Sequence, residues 1–171
     1  MEKDRLPCLG LLQSTPDVLR GLTSELDRDD ATWKPAPDRF SIAEVLAHLS
    51  HSEGHCYRMR LDRFLAEERP EFEADDAQMH LDLYRNADPG VAFADFERER
   101  RSNVLFLRGL PAAAGSRVAI HSDYGEISLS QMLHEWALHD LGHIRQVAEI
   151  VRARKYLADA GPWAGGYALK P

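Results

Sequence analysis

The chain predicts an all-α fold, a four-helix bundle, on three observations. Four stretches carry apolar residues at helical spacing, caps and prolines punctuate them, and no internal repeat runs through the 171 residues. That length suits one domain, 1–171, with a sizeable core and an irregular tail from about residue 155.

Ser14, Pro16 and the stripe Val18, Leu19, Leu22 and Leu26 predict a first helix from about Thr15 to Asp27. DDATWKPAPDRF has no periodicity and reads as a loop that sets Trp33 and Phe40 against the bundle. Ser41 and Glu44 form a capping box, and Ile42, Val45, Leu46, Leu49, Tyr57, Leu61, Phe64 and Leu65 carry a long second helix until an acidic loop stops it at Pro70. A short helix is expected over Asp76 to Tyr84. After Asp88-Pro89, Phe93, Phe96, Val104, Leu105, Leu107 and Leu110 mark a third long helix ending at Gly109 or Pro111. Val118 and Ile120, followed by Tyr124-Gly125, allow a short extended hairpin. Ser128 or Ser130 then caps a fourth helix through Met132, Leu133, Trp136, Leu141, Ile144, Val147 and Ile150 to about Ala153. Trp163 and Tyr167 suggest a tail laid back on the bundle.

Composition excludes several function classes. Hydrophobic residues make up 44% and charged residues 29%, and no apolar run is long enough to span a bilayer, so a soluble protein is expected. A formal net charge of -7 argues against nucleic acid or an anionic membrane as partner. Arg98, Arg100 and Arg101 in ERERRSN alternate with acids and read as a solvated face. MEKDRLPCLGLL lacks the marks of a secretory signal, which predicts a cytoplasmic protein with Cys8 and Cys56 reduced. Cys56 lies eight residues after His48, too far along for a shared ligand role, and reads as a small core residue.

The eight histidines carry the chemistry. His139 and His143 stand four residues apart in EWALHDLGHIRQV, so both imidazoles leave one helix face close enough to bind one ion. On the second helix His48, His51 and His55 share a side. His48 sits between Leu46 and Leu49, which favours the interior, whereas the other two lie among Ser50, Ser52, Glu53 and Gly54; His48 is therefore the third candidate ligand. Three histidines leave an open coordination position, the arrangement of a catalytic metal. His80 and His121 are expected to meet solvent, and His134, five residues before His139, to lie off the ligand face. The residue after His139 is Asp140, so the zinc-peptidase H-E-x-x-H pattern is absent.

Two segments resemble a known family. RFSIAEVLAHLSHSE, with Trp33 and Pro35 before it, is similar to the W-x-P…S-x-x-E-x-(L/V)-x-H-L-x-x-x-E segment of the DinB/YfiT-like superfamily of metal-binding four-helix bundles. HEWALHDLGHIRQV is similar to its second signature, H-D-x-x-H-x-x-Q, and GEISLSQMLHE to the lead into that helix; the likeness runs from about Leu11 to Arg154. The resemblance implies that His48, His139 and His143 hold a divalent metal, zinc or nickel. It also implies kinship with thiol S-transferases that use bacillithiol or mycothiol and with a thiol-dependent maleylpyruvate isomerase, and a homodimer.

A metal-dependent transferase of a low-molecular-weight thiol to a small electrophile is the first expectation. A hydrolase using the same ligands is the second, and a non-enzymatic bundle with a structural or vestigial site the third. A closed fourth ligand such as Glu135 or His134 would favour the last. Gln146, on the ligand face, is the candidate to hydrogen-bond a ligand or bound substrate; Asp140, turned from that face, is the candidate for an outer contact or an interhelical ion pair. Glu53 reads as structural. Arg58, Arg60, Arg63 and Arg145 are available to meet carboxylates.

Overall fold

In a computed structural model that describes residues 5–74 and 82–167, four long helical runs form the bundle. The first is α1, Leu9–Thr23, followed by a short α2, Arg28–Thr32. The second run is continuous but not uniform: α3 (Ile42–Ser52) passes through a π-helical turn (Glu53–Arg58) into α4 (Met59–Ala66). Helix α5, Pro89–Arg108, is the third, and α6, Leu129–Val151, the fourth. A π turn, Arg152–Tyr156, and 3-10 turns over Ala158–Gly166 complete the described chain. Among the described residues no helix is long and apolar enough to cross a membrane.

Three of the expected caps form, whereas Ser14 lies inside α1 and its hydroxyl donates to Leu11 O instead of capping the helix. The Ser41 hydroxyl accepts from the Glu44 N–H while the Glu44 carboxylate accepts from the Ser41 N–H, closing the box that opens α3. Asp88 receives the N–H groups of Gly90 and Val91 at the start of α5, with Pro89 in the first turn. Ser128, rather than Ser130, caps α6 in a reciprocal pair with Gln131.

Three helix boundaries differ from expectation, and two short elements lie in segments read as loops. Helix α1 begins at Leu9, six residues early, and Pro16 lies inside it. Proline lacks the N–H that would normally bond Leu12 O, and the guanidinium of Arg100 supplies the donor instead, Nη1 to Leu12 O at 2.9 Å. The helix stops at Thr23, and Asp27 caps α2 in the segment read as loop. The second run stops at Ala66, before Pro70, and the acidic loop contains a strand, β1, Glu71–Phe72. The helix expected over Asp76 to Tyr84 lies mostly outside the described residues.

The hairpin is present as β2 (Val118–His121) and β3 (Gly125–Ser128), antiparallel, with Gly125 at φ 71° closing the turn. Strand β1 adds parallel to β2, so the sheet order is β1-β2-β3. Alternation along β2 buries Ala119 and His121 and half-exposes Val118 and Ile120. His121 therefore does not meet solvent: it pairs with Phe72 of β1, a strand the acidic sequence concealed.

The core has two apolar clusters. One gathers Leu12, Tyr57, Leu61, Phe64, Val104, Leu133 and Trp136; the other gathers Leu19, Val45, Leu49, Phe96, Val147 and Ile150. Trp33 and Phe40 pack on the second, as expected. Each long run places polar side chains between the two: Thr15 on α1, Glu53 at the start of the π turn, Arg100 and Asn103 on α5, and Asp140 on α6, all buried. Leu141 of the predicted stripe is instead exposed, because Asp140 takes the inward direction beside it. The tail rings, Trp163 and Tyr167, are exposed; the tail is held through its backbone, with Arg152 Nη1 donating to Tyr167 O at 2.7 Å.

Candidate metal centre

Helices α3 and α6 bring His48, His139 and His143 together. Nε2 of His139 lies 3.0 Å from Nε2 of His48 and 3.2 Å from Nε2 of His143. One nitrogen from each ring falls within 4.8 Å of the others, and all three side chains are half-buried. The spacing on α6 follows from the helix repeat. On α3, the ring of His48 sits between Phe40 and Tyr84, with centroids 6.0 and 5.5 Å away, which aims it across the interhelical seam.

The donor set suits a divalent cation. Ligand nitrogens on one tetrahedral ion at 2.0–2.1 Å would stand about 3.3 Å apart, close to the separations found here. Three imidazole nitrogens converging on one point cannot all satisfy each other by hydrogen bonding. Burial, with the neighbouring His143 and His48, holds His139 far below its usual range, at about 2, and burial lowers His143 as well. Both rings are neutral at physiological pH, the form that ligates. Nδ1 of His143 lies 2.9 Å from the amide oxygen of Gln146, a contact made by a proton on Nδ1, which leaves the Nε2 lone pair aimed inward. Gln146 thus stands where the sequence placed it.

No fourth His, Cys, Asp or Glu joins the group among the described residues. Glu135 is exposed and accepts a hydrogen bond from Tyr57, whose hydroxyl is pushed upward in pKa by burial and by that carboxylate. His134 is exposed and contacts Ser130 O through Nδ1. His51 and His55 stack on each other at 4.0 Å, with His55 exposed, and stay outside the group. Cys56 is in no disulfide and is only half-buried, not the core residue expected. His80 lies outside the described residues.

Asp140 turns away from the histidines into the polar layer. It accepts from Thr15 Oγ1 at 2.6 Å and from Arg100 Nη1 and Nη2 at 2.5 and 2.7 Å. Arg100 also donates through Nε and Nη2 to Glu53 Oε1, at 2.9 and 2.7 Å. Asn103 Nδ2 and Trp136 Nε1 donate to the same carboxylate, at 2.9 and 3.1 Å. Burial pushes the Glu53 carboxyl up, and Arg100 and Asn103 oppose the shift. The reading of Arg100 as solvent-facing is therefore wrong: its side chain is 1% exposed. Helical spacing held the signal, since Phe96, Asn103, Val104 and Leu107 put Arg100 on the apolar face of α5. Glu53 is structural, as expected. Arg58 and Arg63 meet Asp62 and Glu67 on their own helix surface rather than at the site.

A groove of about 970 Å³ opens onto His139, His143 and Gln146, with Gly142, Arg39, Arg145, Arg152 and Glu149 along it. A side chain at Gly142 would meet open space, so no atoms crowd the α6 backbone between the two histidines.

A model of the DinB superfamily matches residues 11–147, which contain all three histidines. The chain belongs to the DinB superfamily. Among solved structures, this DinB chain is similar to YfiT from Bacillus subtilis, described as a probable metal-dependent hydrolase with an unusual four-helix bundle topology. That match has a TM-score of 0.73 and 23% identity, and covers 85% of this chain and 84% of the other. The likeness establishes a common bundle fold. No curated protein matches the chain.

Proposed function

We propose that this DinB protein is a metal-dependent enzyme in which His48, His139 and His143 hold one divalent ion, zinc or nickel, and that it transfers a low-molecular-weight thiol to a small electrophile. The observation that carries the reading is the convergence of three ring nitrogens without a fourth protein ligand among the described residues. Bound there, the ion would lower the pKa of a thiol or water in its open position and so supply a nucleophile at neutral pH. The protein's own contribution is positional. Gln146 fixes the tautomer and tilt of His143, the Phe40 and Tyr84 rings fix His48, and Asp140, locked to Arg100, fixes the rotation of α6 beside His139. The groove along Gly142 gives a small substrate a path to the histidines.

Hydrolysis at the same ligands is the second reading, and the description of YfiT as a probable metal-dependent hydrolase favours it. Metal content by elemental mass spectrometry on untagged protein tests what both share. Near-stoichiometric metal in the parent that falls in His48→Ala and in His143→Ala is expected; equal, low metal in all three would overturn the site. Assays of chloride displacement from 1-chloro-2,4-dinitrobenzene by a thiol and of 4-nitrophenyl acetate hydrolysis, with and without chelator, then separate the two reactions.

A further inference from the structure

The chain carries a net charge of -7, yet the groove beside the histidines is locally cationic. Arg39, Arg145 and Arg152 line it against one acid, Glu149. Glu149 is already engaged: Arg152 donates to its Oε2 through Nε and Nη2, at 3.1 and 2.6 Å. Arg39 and Arg145 are exposed and make no ion pair among the described residues, so two guanidinium charges face the groove without a counter-ion from the protein. Most other arginines are matched; Arg20, Arg28, Arg58, Arg63, Arg69, Arg85 and Arg98 each meet a carboxylate. Arg39 and Arg145 are both tied to the ligands by the chain itself. Arg145 follows His143 by two residues on α6, and Arg39 precedes Phe40, whose ring packs 6.0 Å from that of His48.

We propose that Arg39 and Arg145 form an anion-recognition pair that selects, for the histidine site, small molecules bearing a carboxylate-type group. The inference rests on the metal-centre reading above and adds the substrate class. A guanidinium fork matches two carboxylate oxygens in one plane, a geometry that a lone ammonium does not offer. The low-dielectric wall of the bundle on one side of the groove strengthens that attraction relative to open surface. A neutral analogue of the same size reaches the histidines without this contact and binds more weakly.

The test uses full-length protein loaded with cobalt(II), read by the visible band of a thiolate reaching the ion. Two small thiols serve as probes: 3-mercaptopropionate ends in a carboxylate where 2-mercaptoethanol ends in a neutral hydroxyl. The parent is expected to prefer the carboxylate probe by about tenfold or more at low salt, with the preference shrinking as ionic strength rises. In the double variant Arg39→Ala/Arg145→Ala the preference is expected to vanish, with cobalt loading and mercaptoethanol binding retained. An undiminished preference in the double variant, or none in the parent, would overturn the pair. If cobalt loads but neither thiol perturbs it, the open-site reading falls by itself. Succinate titrated calorimetrically into metal-free protein then judges the arginines alone: heat lost in the double variant supports the pair, and equal heats in both proteins refute it.

Discussion

At the scale of single residues, Arg100 is the most demanding position in the molecule. Its five N–H groups make five hydrogen bonds, to Glu53 Oε1 twice, Asp140 Oδ1 and Oδ2, and Leu12 O. A lysine offers three donors from a single nitrogen, so Arg100→Lys strands buried acceptors, and Arg100→Met leaves two buried carboxylates facing each other. Either change is expected to cost about 3–5 kcal/mol, read by chemical denaturation; a loss below about 1 kcal/mol would mean that water replaces the guanidinium. Gln146→Ala removes the partner of His143 Nδ1 and is expected to weaken metal affinity about 10- to 100-fold with little change in stability. Competition against a chromogenic chelator measures it, and unchanged affinity would show that the ring needs no such support. The histidines were legible in the sequence because a four-residue interval maps directly onto one helix face. Arg100 was not, because charge alternation in ERERRSN suggests solvent, and its buried partners lie 40 or more residues away.

At the scale of elements, the caps and the hairpin could be read from local chemistry: Ser41 with Glu44, Asp88 with Pro89, Ser128 with Gln131, and Gly125 in the turn. What could not be read were features made by tertiary partners. The seamless passage of α1 through Pro16 depends on a donor from α5, and the Glu53 carbonyl, at the head of the π turn over Glu53–Arg58, accepts from Asn103 Nδ2 at 3.1 Å. Strand β1 exists because β2 offers an edge to an otherwise acidic segment. Helix α6 itself makes a prediction at this scale. Gly142 has helical neighbours and open space around its absent side chain, so Gly142→Ala is expected to stabilise the protein by about 0.5–1 kcal/mol through helix propensity. Metal affinity should be unaffected, and thermal denaturation in the presence and absence of metal checks both parts. Destabilisation would place something against that backbone.

At the scale of the whole molecule, ion and fold are coupled, since one ion would tie α3 to α6. Free metal a hundredfold above its dissociation constant would add about 2.7 kcal/mol, and for a chain of this size that is a rise of roughly 5–10 °C in Tm. The rise should disappear with chelator and be absent in His139→Ala. Acid stability has a different origin. Asp30 on α2 accepts from Lys155 Nζ at 2.9 Å and Arg154 Nε at 3.0 Å, and the Lys155 hydrogen bond leads the effects that lower its pKa. A carboxylate lowered in the folded state stabilises fully above its ordinary range, and the contribution is lost as pH falls through the lowered value. Asp30→Asn is therefore expected to be less stable than the parent at neutral pH and to converge with it in acid, followed by denaturant titrations across pH. A constant gap between the two would assign the effect to packing.

The buried polar layer also acts as a gauge of height along the bundle. Leucine stripes by themselves tolerate sliding, because one apolar turn fits a neighbouring groove about as well as the next, some 5.4 Å away. Thr15, Glu53, Arg100 and Asp140 remove that freedom, since a slip of one turn by any of the four runs would set a charge against hydrocarbon. Asp140 directly follows His139, and Glu53 lies five residues beyond His48, so the same notch that stops the helices from sliding brings their imidazoles level.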